Sequence, residues 1–308
     1  MKILITGGAG FIGSHIADLL VSQNNEVIII DNLSSGTREN LNLKAKLYHE
    51  NLLDFDKIKE IFEKEKPEIV YHLAAQIDIR KSVENPIEDA ETNILAAINL
   101  LECCVKHKIK HFIFSSTGGA IYGETKEIPT TENTEAMPVS PYGCAKLAIE
   151  KYLNYYNKVH NLKYTILRYS NVYGPRQNSE GEAGVISIFL KKMLKNENPI
   201  IFGGVQTRDF VYADDVAYAN FLALKDNKSD IYNIATGKEI DILEIFTRLN
   251  HFFQNKFKPE FQEMKKGEQK RSCLNCEKIK KELGWIPRTN LDEGLRKTYE
   301  FMKGRIIK

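Results

Sequence analysis

The sequence predicts an α/β protein built on a doubly wound parallel sheet, followed by a smaller C-terminal α+β part. Short apolar runs rich in β-branched residues alternate with stretches of helical periodicity over about the first 170 residues. A run of glycines directly follows the first apolar run, and Gly, Pro and Asn break the remainder into short pieces. Strands that alternate with helices need right-handed crossovers, and these build a parallel sheet covered on both faces.

The individual elements follow from the spacing of apolar residues. Short β-branched runs predict strands over residues 2–6, 26–31, 68–73, 111–115 and 164–167. Apolar residues at helical spacing predict helices over residues 11–21, 55–65, 90–108, 141–160, 214–224, 243–253 and 291–302. Ser140 and Pro141 mark one helix start, because serine is a favoured N-cap and proline is favoured in the first helical turn.

The length suggests how the chain divides. Its 308 residues fit about two domains of average size. No linker rich in Pro or Ser is present, so residues 1–172 are predicted as the sheet layer and residues 173–308 as a second part packed on it. Some of the C-terminal half is a candidate to rejoin the sheet.

Charge, hydropathy and cysteine content exclude several classes of protein. Lys and Arg total 43 against 41 Asp and Glu, with no long block of one sign, which is unlike a nucleic-acid binder. No apolar span approaches 18 residues, so no membrane association is expected. Five cysteines fit reduced thiols in the cytoplasm better than a disulfide framework. Cys273-x-x-Cys276 lacks two further ligands at zinc spacing, so no metal site is predicted.

The glycine-rich turn carries a phosphate-binding pattern. It can be divided as Gly7-x-x-Gly10-x-x-Gly13 or as Gly8-x-Gly10-x-x-Gly13, and it connects the first predicted strand to the first predicted helix. Glycine permits the tight turn and lets the backbone approach a pyrophosphate, while the amides at the helix N-terminus face the anion. The position within a strand-turn-helix unit makes a dinucleotide site the favoured interpretation.

Asp31 indicates which dinucleotide would bind. It ends the second predicted strand, 18 residues after Gly13, close to the spacing of the acidic residue that binds an adenosine ribose. Its carboxylate would repel a 2′-phosphate, so NAD is favoured over NADP. Arg38 lies nearby and could reverse that preference, although a solvated loop arginine is the commoner case.

Tyr142 and Lys146 form a candidate proton-transfer pair. A Tyr-x-x-x-Lys spacing places the phenol and the ammonium on one helical face. The same spacing recurs in Tyr122/Lys126 and Tyr299/Lys303. Only Tyr142/Lys146 lies at the start of a predicted helix that directly follows a predicted strand and loop. A phenol has an ordinary pKa near 10, so to act near pH 7 its pKa must fall by about 3. This fall corresponds to about 4 kcal/mol of stabilisation of the ionised phenol. A nearby ammonium and an oxidised nicotinamide carry the positive charge that would favour it.

A hydroxyl group precedes this helix in the chain. Thr117 or Ser116 could hold a substrate oxygen and relay its proton. The alternative is a hydroxyl that only caps backbone amides in a turn.

Together these motifs resemble the extended short-chain dehydrogenase/reductase family, in particular its UDP-glucose 4-epimerase branch. The resemblance spans nearly the whole chain and rests on Gly7-x-x-Gly10-x-x-Gly13, Asp31-Asn32-Leu33, His72-Leu-Ala-Ala75, Ser115-Ser116-Thr117, Tyr142-x-x-x-Lys146 and Leu167-Arg-Tyr-Ser-Asn171-Val-Tyr-Gly-Pro175. It implies a Rossmann-like NAD-binding domain over residues 1–172, a nucleotide-sugar-binding domain over residues 173–308, and a homodimer. The implied reaction interconverts the C4 epimers of a UDP-sugar through a 4-keto intermediate, with tightly bound NAD.

The resemblance also implies roles for individual residues. The implied NAD-binding set is Gly7, Gly10, Phe11, Ile12, Gly13, Asp31, Asn32, Ser35, Gly36, Asn51, Leu52, Leu73, Ala74, Ala75, Gln76, Asn93, Ser115, Tyr142, Lys146 and Tyr169. The implied catalytic set is Thr117, Tyr142 and Lys146, with Tyr142 as the base. The implied substrate-binding set is Thr117, Asn171, Val185, Arg208, Lys265, Glu268 and Ser272.

Departures from the family pattern leave alternatives open. Lys265 stands where relatives usually carry Arg, which keeps the charge and loses bidentate binding of the diphosphate. Two glycines follow Thr117, which leaves the register of the catalytic hydroxyl open and Ser116 as an alternative. No Asp or Glu stands beside this hydroxyl, whereas a sugar 4,6-dehydratase of this family needs an acidic pair there. Ser272 replaces a larger residue of some relatives, which suggests that N-acetylated sugars are accepted. Another NDP-sugar enzyme, a 4,6-dehydratase or a 4-ketoreductase, is the main alternative, and a catalytically silent nucleotide sensor is the other.

Overall fold

The computed structural model describes residues 1–179, 184–226, 228–263 and 269–306. Its strands are β1 (Lys2–Thr6), β2 (Glu26–Ile30), β3 (Lys46–Tyr48), β4 (Ile69–His72), β5 (His111–Thr117), β6 (Tyr164–Tyr169), β7 (Asn171–Tyr173), β8 (Ile200–Phe202), β9 (Thr207–Arg208), β10 (Phe210–Tyr212), β11 (Asp230–Ile234), β12 (Ile240–Asp241), β13 (Glu260–Gln262) and β14 (Arg271–Ser272). Its α-helices are α1 (Phe11–Ser22), α2 (Phe55–Glu65), α3 (Ile79–Glu84), α4 (Pro86–Ala90), α5 (Ala96–Lys106), α6 (Gly118–Ile121), α7 (Pro141–His160), α8 (Val185–Leu194), α9 (Ala213–Ala223), α10 (Ile242–His251), α11 (Glu277–Leu283) and α12 (Leu291–Ile306). A 3-10 turn covers Arg38–Asn40 and a π-helical turn covers Glu91–Leu95.

Seven parallel strands form the central sheet, in the order β11-β6-β5-β4-β1-β2-β3. Strand order reverses between β1 and β4, and in a doubly wound sheet a ligand crevice lies at this switch point, beyond the carboxyl ends of the strands. The edge strand β11 comes from the C-terminal half of the chain, and its Ile231 lies opposite Ile166 of β6. The sheet therefore joins residues from both sides of position 172.

Alternate side chains of β1 show how the sheet is covered on both faces. Ile3 and Ile5 pack with Ile16 of α1 in one buried cluster, which also includes residues of α9. Leu4 points to the opposite face and packs with Phe62 of α2 in a cluster that includes residues of α5 and α7. Because successive strand residues face opposite sides, a strand covered by helices on both sides is apolar at every position.

The annex of strands and helices after β6 has its own core. Phe189 of α8, Phe246 of α10 and Leu295 of α12 pack together in it. Three small sheets accompany them, formed by β7 and β10, by β9, β12 and β14, and by β8 and β13. Trp285 is fully buried, and its indole Nε1 donates to the Asp215 carbonyl of α9 at 2.9 Å. This contact fastens the C-terminal segment to a helix that covers the central sheet.

The predicted strands and helices are confirmed to within a few residues, with one exception. The expected single helix over residues 90–108 is wrong in its first part, where α4 ends at Ala90 and a π-helical turn precedes α5. The turn carries Asn93, which is buried and whose amide bonds the backbone of Gln76. Such local π-turns reposition side chains and are frequent at functional sites. No helix within the described ranges is long and apolar enough to cross a membrane.

A buried ion pair ties α7 to the centre of the sheet. Glu150 of α7 accepts from Arg168 of β6 through both oxygens, at 3.0 Å from Nε and 2.6 Å from Nη2. Arg168 also donates to the Tyr122 hydroxyl at 2.8 Å, and Ser116 of β5 donates to Glu150 at 2.6 Å. Both charged side chains are at most 5% exposed. The hydrogen bonds satisfy the buried charges, as a pair of this kind requires.

Removing one partner of this pair should destabilise the fold strongly. We expect Arg168→Met to lower the free energy of unfolding by about 3–5 kcal/mol, because the Glu150 carboxylate is left buried without its cation. Urea unfolding measures the loss. The double variant Arg168→Met with Glu150→Gln should recover part of it, and equal losses in the single and double variants would contradict the expectation.

Candidate active site

A cleft of about 450 Å³ lies at the carboxyl ends of the central strands. One wall is formed by the β1–α1 turn and the ends of β2, β4 and β5, and the other by β7, β10 and the start of α8. The predicted site residues that line it are Gly7, Gly10, Phe11, Ile12, Gly13, Asp31, Asn32, Ser35, Asn51, Leu52, Leu73, Ala74, Ala75, Ser115, Ser116, Thr117, Tyr142, Lys146, Tyr169, Asn171 and Val185. Residues far apart in sequence thus converge on one space.

The glycine turn is closely packed, and larger residues would not fit in it. A Cβ atom on Gly13 would lie 2.2 Å from the Gly7 carbonyl oxygen, and one on Gly7 would lie 2.6 Å from the Ala74 nitrogen. Gly7 also has a φ of +71°, which L-residues rarely adopt. Gly10 caps α1 without a side-chain hydrogen bond, and the first turn of α1 carries no acidic residue. The helix N-terminus is therefore suited to an anion in the cleft.

Asp31 lies buried at the far end of the same cleft. Its carboxylate accepts from the Ala9 amide at 2.9 Å and from the Leu33 amide at 2.8 Å. Each oxygen keeps a further acceptor position for a hydroxyl group. Arg38, which could favour a 2′-phosphate, is exposed and is not among the described residues that line the cleft.

Tyr142 and Lys146 lie at the inner end of the cleft, in the first two turns of α7. The helix starts as the sequence predicts, because the Ser140 hydroxyl accepts from the Gly143 amide at 3.1 Å and Pro141 occupies the first turn. The Lys146 ammonium donates to the Ser115 carbonyl at 2.9 Å and lies 5.8 Å from the centre of the Tyr142 ring. The two side chains therefore share one environment.

The electrostatics of this pair differ in part from the sequence-based expectation. Burial lowers the pKa of Lys146 to about 8, against raising effects of Asp89 and Glu150. Burial and the Asp89 carboxylate raise the pKa of Tyr142 well above its ordinary value, whereas catalysis near pH 7 needs it lowered. The protein groups alone thus do not supply the required shift, and a cation bound in the cleft would have to contribute.

The other two Tyr-x-x-x-Lys pairs serve the fold. The Tyr122 hydroxyl lies in the buried polar network, where it donates to Asn233 at 2.9 Å, and Lys126 is exposed. Tyr299 stacks on Phe252 with ring centres 5.0 Å apart in the annex core. Neither tyrosine is among the described residues that line the cleft.

The two candidate hydroxyls differ in their bonding. Ser116 is buried and donates to Glu150 at 2.6 Å, so its proton is committed to the ion pair. Thr117 is half-buried, and its Oγ1 accepts from the Ala120 amide at 3.2 Å as the N-cap of α6. Its O–H remains available to donate to a group in the cleft. The geometry therefore favours Thr117.

Five predicted site residues lie outside the described lining of the cleft: Gly36, Gln76, Asn93, Arg208 and Ser272. Gly36 packs behind the glycine turn, where a Cβ would lie 2.8 Å from the Ala9 carbonyl carbon. Arg208 of β9 and Ser272 of β14 lie opposite each other in the same small sheet. Lys265 and Glu268 lie outside the described residues.

The annex wall contains polar groups that the sequence did not single out. Ser170 Oγ, Asn171 Oδ1 and Gln177 Oε1 are buried and have no hydrogen-bond partner among the described residues. All three residues line the cleft, together with Tyr173 and Phe210. Buried polar atoms without partners are unfavourable, so this wall is suited to a polar ligand.

Asp89 is a second residue that sequence reasoning missed. It is 1% exposed, and it is one of the charged groups that influence both Tyr142 and Lys146. No sequence motif points to it, because its importance depends on the packing of α4 against α7.

The described residues contain no group of three or more His, Cys, Asp or Glu side chains that could hold a metal ion. The two thiols of Cys273-x-x-Cys276 are held protonated, since burial raises the pKa of Cys273 to about 12 and that of Cys276 to about 11. Thiolates, which would bind a metal, are therefore disfavoured there.

Comparison with known proteins identifies the family. The chain is 46% identical to a UDP-glucose 4-epimerase from Thermotoga maritima solved with UDP-glucose, with a TM-score of 0.98 over 99% of this chain and 100% of the other. A UDP-glucose 4-epimerase from Thermus thermophilus in complex with NAD is 38% identical, with a TM-score of 0.94 and the same coverage. A UDP-N-acetylglucosamine 4-epimerase from Methanobrevibacter ruminantium in complex with UDP-N-acetylmuramic acid is 35% identical, with a TM-score of 0.94 over 99% of each chain. Since residues 3–235 also match its family model, this chain belongs to the NAD dependent epimerase/dehydratase family.

Proposed function

We propose that this chain is an NAD-dependent UDP-sugar 4-epimerase that interconverts UDP-glucose and UDP-galactose. The observation that carries the proposal is the convergence of the glycine turn, Thr117, Tyr142 and Lys146 on one cleft. A dinucleotide site alone would fit many reactions. A dinucleotide site that ends at a phenol and a buried ammonium fits hydride transfer to and from an alcohol.

The cleft fits NAD along its length. The closely packed glycine turn and the N-terminus of α1 would hold the pyrophosphate. Asp31 would accept hydrogen bonds from the ribose hydroxyls. Asn51 and Leu52 line the part of the cleft suited to the adenine, and Ala74, Ser115 and Lys146 line the part suited to the nicotinamide ribose. NAD bound there would supply the hydride acceptor for sugar C4 and the hydride donor for reduction from the opposite face.

The chain's own residues manage the proton and the sugar. Tyr142 takes the proton of the sugar 4-hydroxyl as the alcohol is oxidised. It gives the proton back after the 4-keto sugar has rotated in the site and presents its other face. Thr117 donates to the same oxygen and orients it. Lys146 supplies positive charge beside the phenol, which favours its ionised form. Hydride and proton would both be returned to the sugar, so the reaction would be an isomerisation.

The lining of the cleft favours epimerisation over 4,6-dehydration. Elimination of water needs an acid and a base beside the catalytic hydroxyl. Among the described residues that line the cleft, the only acidic ones are Asp31 and Glu50, and both lie on the side that follows β2 and β3. Two glycines follow Thr117 instead. A silent nucleotide sensor would not need Tyr142 and Lys146 together in the cleft.

The annex is the proposed site of the nucleotide sugar. Asn171 and Val185 line the cleft, and the Asn171 Oδ1 oxygen, which no described residue hydrogen-bonds, offers an acceptor. Arg208 is the proposed partner of the diphosphate, with Lys265 and Glu268 assigned by resemblance only. Ser272, which lies opposite Arg208, is small enough to leave room for a larger group at C2. We therefore include UDP-N-acetylglucosamine among the proposed substrates.

We also propose a cytoplasmic homodimer. The free cysteines fit a reducing compartment. The outer faces of α4, α7 and the π-helical turn expose large apolar side chains, including Ile87 (73% exposed), Leu95 (51%) and Tyr155 (48%). A second copy would cover such a surface. Sedimentation as a monomer at micromolar concentration would contradict this part of the proposal.

The direct test is incubation of the purified protein with UDP-glucose and, separately, with UDP-N-acetylglucosamine, without added cofactor. We expect the C4 epimer of each sugar by NMR, and NAD released on denaturation. Accumulation of a keto sugar, or a need for added NAD(P)H, would indicate a dehydratase or a ketoreductase instead. A strong preference in kcat/KM for UDP-glucose would exclude the N-acetyl sugar.

Tyr142→Phe should reduce turnover by about 10²–10⁴-fold, because the proton-transfer group is lost. NAD content should stay at the wild-type level, since the glycine turn and Asp31 are unchanged. Tyr299→Phe removes the hydroxyl of an equally spaced tyrosine outside the cleft and should leave turnover intact. Turnover of Tyr142→Phe at the wild-type rate would disprove its assignment as the base.

Thr117→Ala and Ser116→Ala should separate the two hydroxyls. Thr117→Ala should lower kcat by about 10-fold or more, since it loses a donor to the reacting oxygen, with only the modest fall in the thermal midpoint that loss of the α6 N-cap causes. Ser116→Ala should mainly lower the midpoint, because it removes a buried donor to Glu150. The opposite pattern would transfer the catalytic role to Ser116. Steady-state kinetics and thermal unfolding provide the two measurements.

A further inference from the structure

Asp89 is a buried carboxylate with only one oxygen engaged. Its Oδ1 accepts from Gln76 Nε2 and from Asn93 Nδ2, both at 3.0 Å. Its Oδ2 is buried and has no hydrogen-bond partner among the described residues. A half-satisfied buried carboxylate is costly unless a positive charge nearby stabilises it.

The cation whose charge acts on this carboxylate is Lys146. Helix α4 and the π-helical turn both pack against α7, and the charge of Asp89 acts on Tyr142 and Lys146 in the first two turns of that helix. Burial raises the pKa of Asp89 and lowers that of Lys146 to about 8, and the attraction between the two charges opposes both shifts. Asp89 also raises the pKa of Tyr142.

Among the residues that the structure describes, four charged or titratable groups face Lys146. Glu150 and Tyr142 do so from α7, Asp89 from α4, and His72 from β4. Burial lowers the pKa of His72 to about 3, so this imidazole is neutral near pH 7. Glu150 already has a cation, since Arg168 binds it at 2.6 Å. Asp89 has no cation within 4.0 Å among the described residues, and Lys146 is the cation whose charge acts on it at longer range.

Asp89 also shapes the path to the cofactor. The Asn93 side chain that donates to Asp89 bonds both backbone groups of Gln76, accepting from its amide at 2.9 Å and donating to its carbonyl at 3.1 Å. Gln76 follows Ala74 and Ala75, which line the cleft. One carboxylate therefore holds the loop after β4 and influences the charge of the ammonium on α7.

We propose that Asp89 is a positioning residue for the proton-transfer pair: its negative charge keeps Lys146 in the ammonium form, and its bonds to Asn93 and Gln76 hold the loop beside it. This inference rests on the proposed function, since it assigns Asp89 a role through Tyr142 and Lys146. Asp89 itself is outside the described lining of the cleft.

The sign of the pH effect follows from the charge. The ammonium is the active form of Lys146, so activity should fall as the pH rises through the pKa of that lysine. Removing a negative charge lowers that pKa and also lowers the pKa of Tyr142. Both limbs of the profile of kcat/KM against pH should therefore move toward lower pH. A purely structural loss would reduce activity by the same factor at every pH.

The test compares Asp89→Asn with Glu88→Gln, measuring kcat/KM for UDP-glucose from pH 5 to 10. Asp89→Asn keeps the shape and removes the charge, and it should shift the alkaline limb by about 0.5–1 pH unit toward lower pH. Glu88→Gln removes the same charge from the exposed side of the same helix and should leave the profile unchanged. NAD content and the thermal midpoint are measured for both variants.

A profile of Asp89→Asn that keeps the wild-type pH dependence overturns the proposal, whether or not overall activity falls. If Asp89→Asn does not fold, Asp89→Ser serves as the second neutral variant with the same expectation, and Asp89→Glu should restore the wild-type profile. A wild-type protein that does not interconvert the sugars refutes the proposed function. An active wild type with unshifted neutral variants refutes only the role of Asp89.

Discussion

The structure depends most on how it accommodates one buried ammonium, that of Lys146. An ammonium in a protein interior is unfavourable unless groups from the surroundings satisfy it. Here a carbonyl comes from β5, an aromatic face comes from Phe114 at 4.8 Å, and negative charge comes from α4 and α7. The position of α7 on the sheet is therefore set by electrostatics as well as by the apolar packing of its buried face.

The two walls of the cleft differ in how they would bind ligands. The sheet side presents backbone groups in a closely packed turn, where even a methyl group at Gly13 would collide with Gly7. The annex side presents side-chain oxygens, such as Asn171 Oδ1 and Gln177 Oε1, that have no hydrogen-bond partner in the part of the chain that the structure describes. A rigid backbone cradle suits a cofactor that stays bound, and a wall of adjustable side chains suits a sugar that must present two faces in turn.

The parts of the site that the sequence predicted are local ones. A sequence pattern of a few residues is enough to predict the glycine turn, Asp31 and the Tyr142/Lys146 pair. Turn geometry, strand ends and helical spacing are all short-range properties. Asp89 and the edge strand β11 depend on contacts between distant segments, so no local pattern marked them. The raised pKa of Tyr142 was missed for the same reason, since its cause is burial by the folded chain.

The strand β11 has a consequence for how the protein is made. During synthesis the sheet remains one strand short until residue 234 has left the ribosome, long after β6 is complete. Until then the open edge of β6 presents bare amides and carbonyls to any extended chain nearby. The half of the chain that carries the glycine turn thus receives its edge strand from the other half, so exchanging either half alone between related genes would place β6 beside a strand from a different sequence.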